Sequence, residues 1–464
     1  MDAFQIELVR RLPLAQAAVG LLDYAIDDEF LSGLFTEYRG RCYEDVLRFP
    51  VLVGVVRDAL LVHEGSGLKS IVDAQDGGQV DVNQSSVYRK LGNLPERLSQ
   101  GLLREGTARL ESVATGGARS LPACVSSLKV VAIDGKEIKK VAKRLKAARC
   151  YTSGSLLGGM LLVALSLQND LVLAMSCNPD GEANEVPLVP ALIKQVREKV
   201  DGGILWIADR QFTDLNTFEA LSREQDHFLI RCSKSISFEP DATKPTLEQK
   251  DAAGRRVVQQ WGWLGRATDK RRRYVRRITL YRPGEEDVML ATDLLDEQSH
   301  PGLDLLEVYL QRWGIEQCFQ QVTEVFGLEK LIGSTPRAVI FQAAFCLLLY
   351  NMAQVIRSYV AGDGNKPVAQ VSTENVFYEA KRELICWSKL GEEPQMPIMV
   401  PRKAREMKLW LKRLLAGCWQ DQFIKKSDKR PRKKKRKKTL PGGHGSLWKL
   451  MKKAGHPHTT VAAT

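Results

Sequence analysis

Three acidic side chains carry the chemistry legible in this sequence. The first stands in Tyr309-Leu-Gln-Arg312-Trp313-Gly-Ile-Glu316. On a helix advancing ~100° per residue, Tyr309, Arg312 and Glu316 fall at roughly 0°, 300° and 340°, on one narrow face. Val308, Ile315, Phe319, Val322 and Phe326 form a separate apolar stripe, so the helix buries one stripe and lifts a Tyr/Arg/Glu ladder beside it. Alone, an Arg/Glu pair at this spacing reads as a solvated surface pair. Two aspartates upstream alter that reading. Asp134 ends the apolar run Val130-Val131-Ala132-Ile133, and Asp209 ends Ile204-Leu205-Trp206-Ile207-Ala208. Short apolar runs bounded by polar residues predict fully buried strands. Each Asp then stands at a strand's carboxyl end, where open α/β sheets bind ligands, although a single such Asp commonly just caps a turn. Two aspartates and a helix-borne glutamate make a set able to hold two divalent ions, and Mg²⁺ favours such hard oxygen ligands.

With Asp134 in Ala-Ile-Asp-Gly-Lys, Asp209 in Ala-Asp-Arg-Gln-Phe, and Tyr309, Arg312 and Glu316 downstream, the chain resembles a DDE-type insertion-sequence transposase. The pattern is that of the Tyr-x2-Arg-x3-Glu-x6-Lys (IS-four) family, and Glu185 in Gly181-Glu-Ala-Asn-Glu185-Val resembles a His/Asn-Glu box often found there. The resemblance implies an enzyme that cuts and joins DNA with Asp134, Asp209 and Glu316 as catalytic residues. They would ligate two Mg²⁺ ions, with Mn²⁺ able to substitute. It implies in-line attack by a water or 3′-hydroxyl, a hairpin intermediate on the transposon end, and double-stranded DNA partners, namely terminal inverted repeats and target DNA. A homodimer in the synaptic complex is expected. Arg312 would grip a phosphate bidentately and Tyr309 another, while Trp313 either flanks the DNA or packs in the core. Arg210, Arg271, Arg272 and Arg273 are further expected DNA contacts. One residue departs from the pattern: the signature Lys would fall at 323, where this chain has Thr323. Lys330 or the Arg271–Arg277 patch are the candidate stand-ins. Two other classes stay open: an RNase H-like nuclease that cuts without strand transfer, and a catalytically silent protein that binds terminal repeats.

The elements that must position these residues predict an α/β fold. Residues 1–120 read as helical, with a capped helix through Ser85-Ser86-Val87-Tyr88 ending at Gly92 and a second helix from Pro95 to Leu110. Such a pair suits either a helix-turn-helix or a structural bundle; by the resemblance this is the domain that binds the DNA ends. From 121 to 232 the pattern gives strands 128–134, 158–167 and 171–177, helix 187–199, strand 204–209, helix 213–225 and strand 227–232. The resemblance makes this the first part of an RNase H-like core, resumed over 301–360 with the glutamate helix. Residues 233–300 interrupt it as an inserted β-domain, with strands over 257–264, 274–281 and 287–292. That segment carries seven Lys/Arg between Arg266 and Arg277, a density that suits a phosphate-facing surface. Trp261 and Trp263 share a strand face; one is read as core, and the other could stack on a flipped base. Residues 361–424 read as a helical C-terminal region with a Trp410, Leu411, Leu414, Leu415 stripe, and 425–464 as a basic, disordered tail.

Composition narrows the classes. The chain has 464 residues, 44% hydrophobic and 27% charged, values of a soluble globular protein. Nine cysteines lack any C-x-x-C pair, which argues against a zinc ribbon and for reduced, mostly buried thiols in a cytosolic protein. The pair His456 and His458 is too sparse for a metal site. An acidic N-terminus makes an export signal unexpected. The apolar stretch 338–356 contains Gln342, Asn351 and Gln354, favouring a buried helix over a membrane span. The expected location is cytoplasmic and nucleoid-associated. Lys425 to Lys438 hold eleven Lys/Arg and one Asp, most of the net charge of +13. Such a run cannot fold alone; it reads as either a solubilising tail or a flexible arm on DNA phosphates.

Overall fold

The structure, a computed structural model, describes residues 7, 10–44, 46–139, 141–142, 145–152, 154–233, 236–330, 332–389, 400–426 and 444–456. The basic run 429–438 and His458 lie outside the described residues.

Among the described residues the chain opens with helices α1 Pro13–Ala25, α2 Asp28–Tyr38, α3 Phe49–Leu61, α4 Gly67–Asp76, α5 Gln84–Asn93 and α6 Glu96–Val113. Then come β1 Lys129–Glu137, α7 Lys146–Arg149, β2 Ser155–Leu157, β3 Met160–Ser166, β4 Val172–Asn178, α8 Val189–Arg197, β5 Ile204–Ala208, α9 Leu215–Leu221 and β6 His227–Arg231. Strands β7 Phe238–Pro240, β8 Leu247–Lys250, β9 Arg256–Leu264, β10 Arg273–Leu280 and β11 Val288–Thr292 follow. The remainder is α10 Gly302–Leu310, α11 Trp313–Glu324, α12 Pro336–Asp363, α13 Thr373–Ser388, α14 Ala404–Leu414, β12 His444–Ser446 and α15 Leu447–Lys453.

The fold is mixed α/β. One sheet runs β4-β3-β1-β5-β6-β11-β10-β9-β7, with β8 paired to β9. β1 is antiparallel to β3 but parallel to β5, and β5 is parallel to β6. Apolar residues continue along β1 because both faces of the sheet are covered. Val130 and Ala132 join the core that contains α6 and α12, whereas Val131 and Ile133 join the core of α8 and α9. That split is the two-residue period of a strand read directly from burial.

Residues 233–300, expected as an inserted β-domain, continue the same sheet, since β11 pairs with β6 through Leu290–Thr292. Helix α5 starts at the cap Asn83, whose side chain accepts from the Ser86 N–H at 2.9 Å. Helix α6, the second of the pair that suits either a helix-turn-helix or a structural bundle, turns fully buried Leu98, Leu102, Leu103 and Leu110 onto α12 and β4. It is a core helix. So is α12, the one helix among the described residues long and apolar enough to cross a membrane, and its most apolar 18-residue stretch is wholly buried. Two of its buried amides find partners inside: Asn351 bridges both backbone groups of Val172 at 2.8 and 2.9 Å, and Gln342 receives the Ile332 N–H at 2.9 Å.

Trp410 packs against Gly20, where a Cβ would stand 2.5 Å from its ring, so the α14 stripe is spent on the core. One tail expectation is corrected. Residues 444–453 are ordered: β12 pairs in parallel with β2, and Lys449 bonds Glu182 at 2.6 Å. Of the nine free thiols only Cys232, Cys318 and Cys346 are buried, with Cys150 and Cys386 exposed.

Candidate active site

Asp134 and Asp209 are brought together by strand register. In the parallel pair β1/β5, Ala132 faces Ile207; two residues further along each strand stand Asp134 and Asp209. Asp134 lies within β1, opposite Val163 of β3, rather than ending the strand as the pattern predicts. Each aspartate accepts the N–H of the residue after it with one oxygen. Asp134 Oδ1 accepts from the Gly135 N–H at 2.9 Å, and Asp209 Oδ1 from the Arg210 N–H at 2.7 Å.

The glutamate comes from the other side, and here the single-helix expectation is corrected. Helices α10 and α11 are separate, joined at Gln311–Arg312. The N–H groups of Arg312, Gly314 and Ile315 bond carbonyls three residues back at 2.9–3.0 Å, the tighter spacing of a 3₁₀ turn. A Cβ at Gly314 would collide with the guanidinium of Arg119. Arg119 bonds the Gln311 carbonyl at 3.2 Å and pairs with Asp170, which Arg357 holds at 2.9 Å from the other side. Sequence reasoning missed Arg119. The one signal for it was a glycine placed in a helical pattern.

This turn seats Arg312, 8% exposed, amid all three carboxylates. Its Nη2 lies 2.9 Å from Glu316 Oε1 and 3.9 Å from Asp209 Oδ2, and its Nη1 lies 3.4 Å from Asp134 Oδ2. The Tyr309 hydroxyl reaches Asp209 Oδ1 at 3.5 Å. Burial lifts the Asp134 carboxyl to about 6; Arg312 and the Gly135 N–H oppose the rise, and the charges of Glu316 and Asp209 add to it. Burial and the Asp209 charge push the Tyr309 hydroxyl up to about 12. Burial works against the Arg312 guanidinium, but Tyr309 and the three carboxylates more than reverse it, holding it above the usual arginine range.

Three carboxylates against one guanidinium leave the cluster short of positive charge, and hard oxygen donors are what Mg²⁺ or Mn²⁺ takes. The donor chemistry therefore fits divalent metal. The convergence runs through Arg312, however: among the described residues no three His, Cys, Asp or Glu side chains form a ready metal cage.

Beside the cluster lies a hollow of about 480 Å³ lined by Asp134, Lys136, Glu185, Glu316 and Thr323, among others. Gly135 floors it, since a Cβ there would stand 3.0 Å from the Glu185 carboxyl carbon. The Thr323 hydroxyl donates to the Phe319 carbonyl at 2.7 Å and is committed to its own helix. Lys330 packs against Gly65 and is absent from the hollow's lining, so it is no substitute for a cation at 323.

The expected DNA contacts divide. Trp313 is 56% exposed at the start of α11, a surface and not a core position. Arg210 pairs with Glu286 at 3.2 Å. Arg271 pairs with Glu219 at 2.7 Å, and Arg272 pairs with Glu239 while lying 5.0 Å over the Trp263 ring. Arg273 makes no ion pair among the described residues, and all three line a second hollow with Lys270 and Tyr274. Arg276 leaves the patch altogether: it is fully buried, bonding Gln259 at 2.9 Å and the His300 carbonyl at 2.6 Å. The Trp261 indole donates to the Leu295 carbonyl at 2.8 Å, whereas Trp263 remains 41% exposed.

With these side chains placed, similarity to known proteins bears on them. Residues 126–352 match the Transposase DDE domain family. The matched span holds Asp134, Asp209, Tyr309, Arg312 and Glu316, and it supports a DDE-family transposase. No curated protein matches the chain. One similar solved structure is a piggyBac transposase synaptic complex with hairpin DNA, at TM-score 0.35 and 10% identity over 93% of this chain and 80% of that one. A likeness that distant carries no argument about fold or function.

Proposed function

We propose that this protein is a DNA transposase that cuts and joins transposon ends, with Asp134, Asp209 and Glu316 holding divalent metal, Mg²⁺ or Mn²⁺. The observation that carries the proposal is the meeting of these three carboxylates, from β1, the end of β5 and α11, around one guanidinium. When bound, the metal would activate an oxygen nucleophile and stabilise the leaving oxygen. The chain's own residues do the rest. Arg312 offsets part of the carboxylates' charge and is placed to turn a bidentate face to a phosphate entering the hollow. Tyr309, protonated at every physiological pH with its hydroxyl up near 12, can donate to a second phosphate oxygen. We read the strand order β4-β3-β1-β5-β6 as an RNase H-like core, and infer that the enzyme acts in the cytoplasm on double-stranded DNA as a homodimer bridging two inverted-repeat ends.

The test is a strand-transfer assay of the full-length protein on duplex DNA carrying the sequences that flank its gene, with Mg²⁺. Joined products support the proposal. Cutting without joining makes the protein a nuclease, and binding without cutting makes it a silent end-binding protein.

A further inference from the structure

The hollow beside the carboxylate cluster contains a cation with no task so far. Lys136 follows Asp134 by two residues on β1, so both side chains leave the same face of the sheet. Its Nζ stands 5.7 Å from the centre of the Phe319 ring on α11, and it lines the hollow together with Asp134, Glu316 and Thr323. The other cations nearby are engaged: Lys139 pairs with Glu137 at 3.5 Å, and Arg312 is shared by three carboxylates. Among the described residues no carboxylate pairs with Lys136.

We propose that Lys136 binds a phosphate of the DNA strand being cut or joined, its ammonium contacting a non-bridging oxygen in the hollow between β1 and α11. This inference rests on the transposase reading above. A phosphodiester approaching Asp134 and Glu316 meets like charge from these groups and from Glu185. A compact ammonium on a flexible stem is suited to offset that charge at a single oxygen, and a charge-assisted contact of this kind is roughly twice as strong as a neutral one. The Thr323 hydroxyl cannot take the role, because it is bonded to the Phe319 carbonyl. Geometry explains why an uncharged residue suffices at 323. Helical side chains lean toward the N-terminus and lie over the preceding turn. A long side chain at 323 would therefore reach back over Phe319, where the Lys136 ammonium already stands. One wall of the hollow can draw its positive charge from either position.

That equivalence supplies the experiment: single-turnover Mg²⁺-dependent cleavage of the gene-flanking DNA by full-length wild type, Lys136→Met, Lys136→Arg and the double variant Lys136→Met/Thr323→Lys, with thermal melts of each. Methionine keeps an unbranched stem over Phe319, so the fold should hold. The expected result is a loss of about 10- to 100-fold in Lys136→Met, the range for losing one charged hydrogen bond. Lys136→Arg should keep most of the rate, and the double variant should recover at least about tenfold. Loss through packing alone would not be repaired from position 323. Wild-type cleavage by Lys136→Met, or a double variant no faster than Lys136→Met, overturns the inference while an active wild type leaves the transposase reading standing. A wild type without metal-dependent cleavage overturns both.

Discussion

Replacing Arg312 with Met removes the one cation shared by Asp134, Asp209 and Glu316 and leaves three carboxylates facing one another. Breaking a fully buried pair typically costs about 3–5 kcal/mol. The partners here are 17%, 29% and 35% exposed, and two of the contacts are long, at 3.4 and 3.9 Å. Solvent screening therefore reduces the expected loss to about 2–3 kcal/mol, or roughly 2–3 °C in a chain of this length. A second consequence separates this account from ordinary packing damage. Guanidinium and divalent metal compete for the same oxygens, so an ion that binds only the folded state should stabilise the variant more than the wild type. The assay is thermal or urea unfolding of both proteins with and without saturating Mg²⁺. A variant that is destabilised without metal and regains much of its stability with it fits the reasoning. Equal Mg²⁺ increments in the two proteins would refute it, because Arg312 would then not be standing in for the ion.

Other consequences follow from neighbouring residues. Thr323→Ala should cost less than about tenfold in single-turnover cleavage, or ~1.4 kcal/mol, and far less than Arg312→Met, because the hydroxyl serves only the Phe319 carbonyl; the two rates measured side by side decide it. Burial pushes the Glu383 carboxyl up to about 7 despite hydrogen bonds from the Ala15 and Leu14 N–H groups. A carboxyl raised in the folded state favours folding while protonated, and that contribution is lost as pH climbs from its unfolded value through about 7. Glu383→Gln should flatten the stability profile over that window and raise the melting temperature at pH above it; an unchanged profile would mean that Glu383 is not the titrating group. Neutralising the lysines and arginines of 429–438 while leaving 444–453 in place should weaken binding to all DNA alike and reduce its salt dependence. A change in preference between end and random DNA would contradict a nonspecific phosphate role.

Much of the site was legible because strand pattern and helix period locate side chains before any fold is known. The apolar runs before Asp134 and Asp209 marked buried strands, and the parallel register of Ala132 with Ile207 then made the two acids neighbours. The period of 3.6 placed Tyr309, Arg312 and Glu316 together even though the helix is interrupted, since one tight turn at Gln311–Arg312 rotates the chain by little more than a helical step. That break was not legible, because it depends on Arg119 from a distant loop pressing on Gly314. Nor was the fate of the arginine patch. Charge density along a sequence cannot say which guanidinium faces inward, and Arg276 alone is fully buried, on Gln259 and the His300 carbonyl. Likewise, β9, β10 and β11 were readable one by one, the short β7 and β8 were not, and the β11–β6 pairing that joins them to the main sheet is a long-range contact with no local signature. The role of Lys136 was hidden for the same reason, since its neighbour Phe319 stands far along the chain on another element.

The central claim is that three carboxylates on three different elements form one metal-dependent site for phosphodiester chemistry. It is tested most directly by single-turnover cleavage and joining of gene-flanking DNA by Asp134→Asn, Asp209→Asn and Glu316→Gln, with DNA affinity measured in parallel. The account predicts that each variant binds the DNA nearly as well as wild type yet neither cuts nor joins it in Mg²⁺ or Mn²⁺. Near wild-type cleavage by any one of the three would contradict it.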